Sequence, residues 1–139
     1  ALAPLFTSGS MYVTAFTQPY EANTPGHAAM RATFDAVGQA TGNLFVTAGW
    51  TSQYHLKDVL EAAIKGGDIT RAGIRRAAAN VNVSSDQMMP TKNLGQEGGQ
   101  TETYVGVPTA DNLSGINTLA WPYTGPTAAA KDWTAGPCS

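Results

Sequence analysis

The stretch from Thr51 to Lys65 constrains the fold of this chain most. Its apolar residues Leu56, Val59, Leu60, Ala63 and Ile64 recur at helical spacing. Gly66-Gly67 follows at once and supplies the left-handed stop expected just past a helix end. An amphipathic helix of this kind must lay its stripe on a second layer, so the neighbouring segments decide what that layer is.

Upstream, Met11 to Thr17 is rich in β-branched and aromatic residues and follows the turn-like Thr7-Ser8-Gly9-Ser10, which predicts a strand. Pro19 ends it, since proline cannot donate to a sheet ladder. A helix follows, capped by Thr24 with Pro25 at its first position and Met30, Phe34 and Val37 on one stripe; Gly38 and Gly42 mark its end. Leu44-Phe45-Val46-Thr47 reads either as a short strand or as the connection into the next helix. Thr70 opens a further helix to about Asn80, with Ile69 placed before the cap like a hydrophobic staple. The order strand, helix, connection, helix, helix with short loops is an α/β pattern.

Beyond Asn80 the periodicity fades. Val81 to Gly99 is dominated by polar residues, Gly and Pro and reads as loop. Thr103 to Val107 and Gly115 to Trp121 read as two short strands, and Pro122 to Ser139 as a surface or extended tail. Neither half is large enough for a good core alone, so the chain is read as one unit.

Charged residues are 13% of the 139, about half the usual share, and the net charge is −2. That balance argues against nucleic acid, which leaves a basic footprint. The densest basic cluster, Arg71, Arg75 and Arg76, is at helical spacing and reads as a solvated face. No run of about 18 apolar residues exists to span a membrane. The first residues lack the basic and apolar regions of an intact signal peptide, so either such a segment has been removed or the chain begins inside a longer protein. The single cysteine, Cys138, has no partner within the chain; it reads as a bridge to another chain or segment, or as a free thiol.

A search for chemistry yields little. His27 and His55 have no carboxylate spaced to make a His-x-x-Glu metal pair, and no Cys/His cluster offers the three or four ligands a metal needs. Asp58 follows His55 by three and reads as an ordinary helix-surface partner. Glu97 and Glu102 share a glycine-rich loop that would hold a carboxylate pair poorly. Phosphate-binding glycine loops and a Gly-x-Ser-x-Gly elbow are absent from the sequence. Asn82-Val-Ser84 and Asn112-Leu-Ser114 match the glycosylation sequon, a pattern that also arises by chance. No catalytic residue, metal or cofactor is expected. The aromatic residues remain. Tyr20 lies just past the first strand's C-terminal end, the edge where open α/β sheets bind ligands, and Phe45 and Trp50 bracket the entry to the long helix. These three read either as core or lobe-interface residues or as the apolar wall of a small-molecule cleft.

The order of these elements resembles the Leu/Ile/Val-type substrate-binding proteins of ABC transporters. The resemblance is carried by Gly9 to Phe16, Tyr20, the Pro25-started helix, Leu44-Phe45, the helix with Leu56, Leu60, Glu61, Ala62 and Ala63, and Gly66-Gly67-Asp68-Ile69-Thr70-Arg71. It covers residues 9 to 80 well and is weaker from 81 to 125. It implies the C-terminal portion of a type I periplasmic-binding-protein fold: a partial doubly wound, Rossmann-like α/β lobe with a loop-rich C-terminal segment. Residues 1–49 would form the second-lobe strand and helix, 50–80 the crossing to first-lobe helices, and 81–139 the return and tail. It further implies capture of a branched-chain amino acid, amide or similar small polar solute between two lobes, without catalysis. By position Phe45 matches an apolar contact to the ligand side chain in the family, and Trp50 follows it in the crossing segment, which makes these two the implied ligand-binding candidates. The implied partners are the solute, a missing N-terminal lobe or another chain, and a membrane permease. The implied location is periplasmic or extracellular, with a lipoprotein tether in a full-length form. A rival expectation is a secreted structural module that assembles through its exposed sheet edge and binds no solute.

Overall fold

The computed structural model describes residues 4–5, 8–39, 42–95 and 101–132. Cys138, Trp133, Glu97 and the extreme N-terminus lie outside the described residues. Strand β1 (Val13–Ala15) is followed by helices α1 (Pro25–Ala36), α2 (Leu44–Lys65) and α3 (Arg71–Ala78). Then come the two-residue strands β2 (Asn82–Val83) and β3 (Lys92–Asn93), the longer strands β4 (Glu102–Pro108) and β5 (Ile116–Thr124), and the short helix α4 (Pro126–Ala130). The α/β class holds. The described sheets are antiparallel: β1-β4-β5 in one, β2-β3 in the other.

The helix starts follow from their caps. Thr24 Oγ1 accepts from the His27 N–H, Asn43 Oδ1 from Val46 and Thr70 Oγ1 from Gly73, so three helices open on a side chain that satisfies an otherwise orphaned donor. Asn43 settles the open reading of Leu44 to Thr47, which is the first turn of α2 rather than a strand. Helix α2 therefore runs unbroken through residues 49 and 50.

Several expectations are corrected in detail. The strand expected over Met11 to Thr17 pairs only at Val13–Ala15. Val37 falls past the end of α1 and is 64% exposed. Ile69 is 70% exposed, so no staple buries it. Strand β5 continues past Trp121 through Pro122 to Thr124; it is an edge strand, where a missing N–H disrupts no ladder. The tail that was expected to begin at Pro122 therefore starts as strand and short helix.

The stripe on α2 is the larger correction. Val59 and Ala63 are buried, but Leu56, Leu60 and Ile64 are exposed; the buried line continues N-terminally through Thr51 and Thr47. Facing these threonines is a cluster of Tyr20, Met30 and Met88, with Phe34, Val46 and Trp50 packed on it. The segment read as loop, Val81 to Gly99, supplies Val83, Ser85, Met88 and Met89 to the interior.

Candidate functional site

The middle of the molecule is built around one tight turn. Ser85, Asp86 and Gln87 all have left-handed backbone, with φ of 51°, 48° and 67°. Non-glycine residues visit this region singly, and three in succession is costly. Bonds from three separate elements hold it. The Gly26 N–H donates to the Asp86 carbonyl (3.2 Å), the Ser85 hydroxyl donates to the Thr51 carbonyl (3.1 Å), and the Gln18 N–H and Thr17 hydroxyl donate to the Met88 carbonyl (3.1 and 3.0 Å). Gly26 is required for this approach, since a Cβ there would lie 2.9 Å from the Ser85 carbonyl oxygen and 2.5 Å from Met88 Cγ.

The turn presents exposed Asp86 beside α2, where Trp50, Gln53, Tyr54 and Lys57 form the other wall of an open hollow of about 380 Å³. That volume lies within the range of small-ligand pockets. Phe34, Trp50 and Tyr54 make a tilted aromatic ladder, with ring centroids 6.1 and 6.4 Å apart. Lys57 Nζ stands 5.8 Å from the Tyr54 ring centroid and 3.3 Å from Glu61. Trp50 Nε1 is buried and has no hydrogen-bond partner among the described residues. Burial raises the pKa of neighbouring Asp58, and the carboxylates of Asp86 and Glu61 add to that rise.

Of the three aromatic candidates, the fold brings two together. Tyr20, 5% exposed, is a core residue, and Trp50 packs on its cluster while lining the hollow. Phe45 stands apart at 86% exposure in the first turn of α2. Gln53, Tyr54, Lys57 and Asp86 were not singled out as site residues; the first three share a helix face with Trp50, while nothing local in the sequence marks Asp86.

His27 is fully buried, with Nδ1 2.7 Å from Thr24 Oγ1 and Nε2 3.4 Å from the Gln18 carbonyl oxygen. Burial lowers its pKa from 6.5 to about 4, so it is a neutral structural residue. His55 also has a lowered pKa, chiefly through burial and then through Lys92, and its Nε2 contacts Met89 Sδ. Asp58 contributes only a weaker, opposing charge effect there. Among the described residues no three His, Cys, Asp or Glu side chains gather to hold a metal. A second hollow, about 460 Å³, lies between α2 and α3; its charged groups Asp68 and Arg76 are bonded to each other.

No family model matches this sequence, and no curated protein matches it. Among solved structures it is similar to a fatty acid ABC transporter substrate-binding protein from Thermomonospora curvata, with a TM-score of 0.72 and 17% identity over 88% of this chain. The match covers 32% of that protein, so this chain spans about a third of its length. The likeness is one of fold: the chain folds like a part of that protein.

Proposed function

We propose that this chain is the C-terminal portion of a two-lobe, non-catalytic receptor that captures a small solute for an ABC transporter. The fold likeness over 88% of the chain carries the reading. In this reading residues 1–49 belong to the second lobe, 50–80 cross to the first and 81–139 return. The first-lobe remainder is supplied by more of the same polypeptide or by another chain, and a membrane permease receives the solute. The receptor works outside the cytoplasmic membrane, in the periplasm or tethered as a lipoprotein. None of the described helices is long and apolar enough to cross a membrane.

The solute is a branched-chain amino acid, amide or comparable small polar molecule; the fatty acids named for the similar protein are the alternative class. Phe45, exposed, and Trp50, half-buried, would supply the wall that faces it, with Tyr20 setting the position of Trp50 from behind. A second reading, self-assembly without solute, is favoured by β5, a nine-residue edge strand with exposed Leu119 and Tyr123.

Native mass spectrometry with and without a panel of amino acids, amides and fatty acids separates the two. A 1:1 solute complex, with the remainder of the receptor present, supports the first. Solute-independent oligomers that dissociate when Leu119 is changed to lysine support the second and overturn the first.

A further inference from the structure

We propose that the hollow between α2 and the left-handed turn binds an organic ammonium ion. One helix and one turn of this chain form it, so the proposal requires no second lobe and goes beyond the receptor reading. Three observations converge there. The hollow has the volume of a small-ligand pocket, and two tilted aromatic rings wall it. A strained turn, held from three sides, delivers Asp86 to its rim. Such strain concentrates at sites where a group must be presented in one place.

The chemistry favours a cation. Aromatic faces attract ammonium groups through the ring quadrupole, and the ammonium of Lys57 already sits over the Tyr54 ring. Lys57 is half-exposed and bridged to Glu61, and Asp86 adds a further carboxylate acting on the same ammonium, so negative charge exceeds positive around the lining. Asp58, close enough for Asp86 and Glu61 to affect its ionisation, adds to the negative field. A ligand ammonium lies against the rings and takes Asp86 as counter-charge.

The test compares choline with 3,3-dimethylbutan-1-ol, a neutral molecule of nearly the same shape, and with butyrate, by calorimetry and by the indole N–H resonance of Trp50. That resonance is assigned with Trp50→Phe. Choline is expected to bind at least about tenfold more tightly than the neutral isostere and to shift the Trp50 signal. Asp86→Asn removes the charge while keeping a residue that tolerates left-handed backbone, and Tyr54→Leu removes a ring at similar bulk. Each should weaken choline binding about tenfold without changing the far-ultraviolet circular dichroism. Equal binding of the isostere, tighter binding of butyrate, an unmoved Trp50 signal, undiminished affinity in Asp86→Asn, or no saturable binding of choline overturns the proposal. None of these outcomes bears on solute capture with a second lobe, which the mass-spectrometric experiment addresses.

Discussion

Replacing Gly26 with alanine would place a methyl carbon 2.5 Å from Met88 Cγ, 2.6 Å from its Sδ and 2.9 Å from the Ser85 carbonyl oxygen. Met88 is fully buried in the core cluster, so its side chain can yield only by disturbing Tyr20 and Met30. The Ser85 carbonyl belongs to the strained turn and accepts the Met88 N–H at 3.0 Å, so it has little freedom to retreat. Overpacking of this kind costs about 1–3 kcal/mol. The substitution also reduces the entropy of the unfolded chain, a gain of about 0.4–1 kcal/mol, which leaves a net loss of about 1–2 kcal/mol. For a domain of this size the melting temperature should fall by about 3–8 °C. Gly49 in α2 provides the internal control, because a Cβ there meets nothing within 4 Å. Gly49→Ala should stabilise by about 0.5–1 kcal/mol through helix propensity. Urea denaturation of both variants checks the pair. A Gly26→Ala protein as stable as its parent would refute the claim that the turn and α1 are locked by backbone approach.

Acidification acts through His27. Its folded pKa lies near 4, below the 6.5 of the free side chain, so the unfolded state binds the extra proton first. Its contribution is complete above pH 6.5, declines as the pH falls towards 4, and amounts to about 3 kcal/mol in total. Denaturation midpoints at neutral pH and near pH 4 should show this, and His27→Gln should flatten the profile. Thr24→Ala removes both the α1 cap and the partner of His27 Nδ1, and should cost about 2 kcal/mol by chemical denaturation. Leu60→Ser with Ile64→Ser should change the stability of the isolated chain by only about 0.5 kcal/mol per site, because both residues are already exposed, while reducing binding of an apolar dye.

How legible these features were in the sequence depended on how local their causes are. The three helices were readable because Thr24-Pro25, Gly66-Gly67 and Thr70 act within a turn or two of themselves. Strands β4 and β5 announced themselves through β-branched and aromatic runs. The buried set Val83, Ser85, Met88 and Met89 follows neither a two-residue nor a helical period, because a left-handed turn and not a regular element orients it. Of Ser85-Asp86-Gln87 only the aspartate belongs to a type that favours positive φ; the bonds with Thr51, Gly26, Gln18 and Thr17 that hold the turn come from 34 to 71 positions away. The same distance hid Asp86 as a partner of Trp50 and Tyr54.

The orientation of α2 follows from that turn. By hydrophobicity alone the helix should bury Leu56, Leu60 and Ile64 and expose its threonines. Yet Thr47 and Thr51 are fully buried and those three are exposed. The turn supplies the reason: it brings carbonyl and hydroxyl groups into the interior, and each needs a partner there. Thr51 answers on several sides, with its carbonyl accepting from Ser85 (3.1 Å) and its hydroxyl 3.2 Å from that of Thr17 while donating to the Thr47 carbonyl (2.8 Å). Rotating α2 to bury its leucines would strip the turn of those partners, at about 1–3 kcal/mol for each group left unsatisfied. A leucine fully buried gains about 1.5–3 kcal/mol, so the polar demand and the apolar gain are comparable, and the turn's several bonds decide the balance. The leucine face of α2 is thereby left exposed.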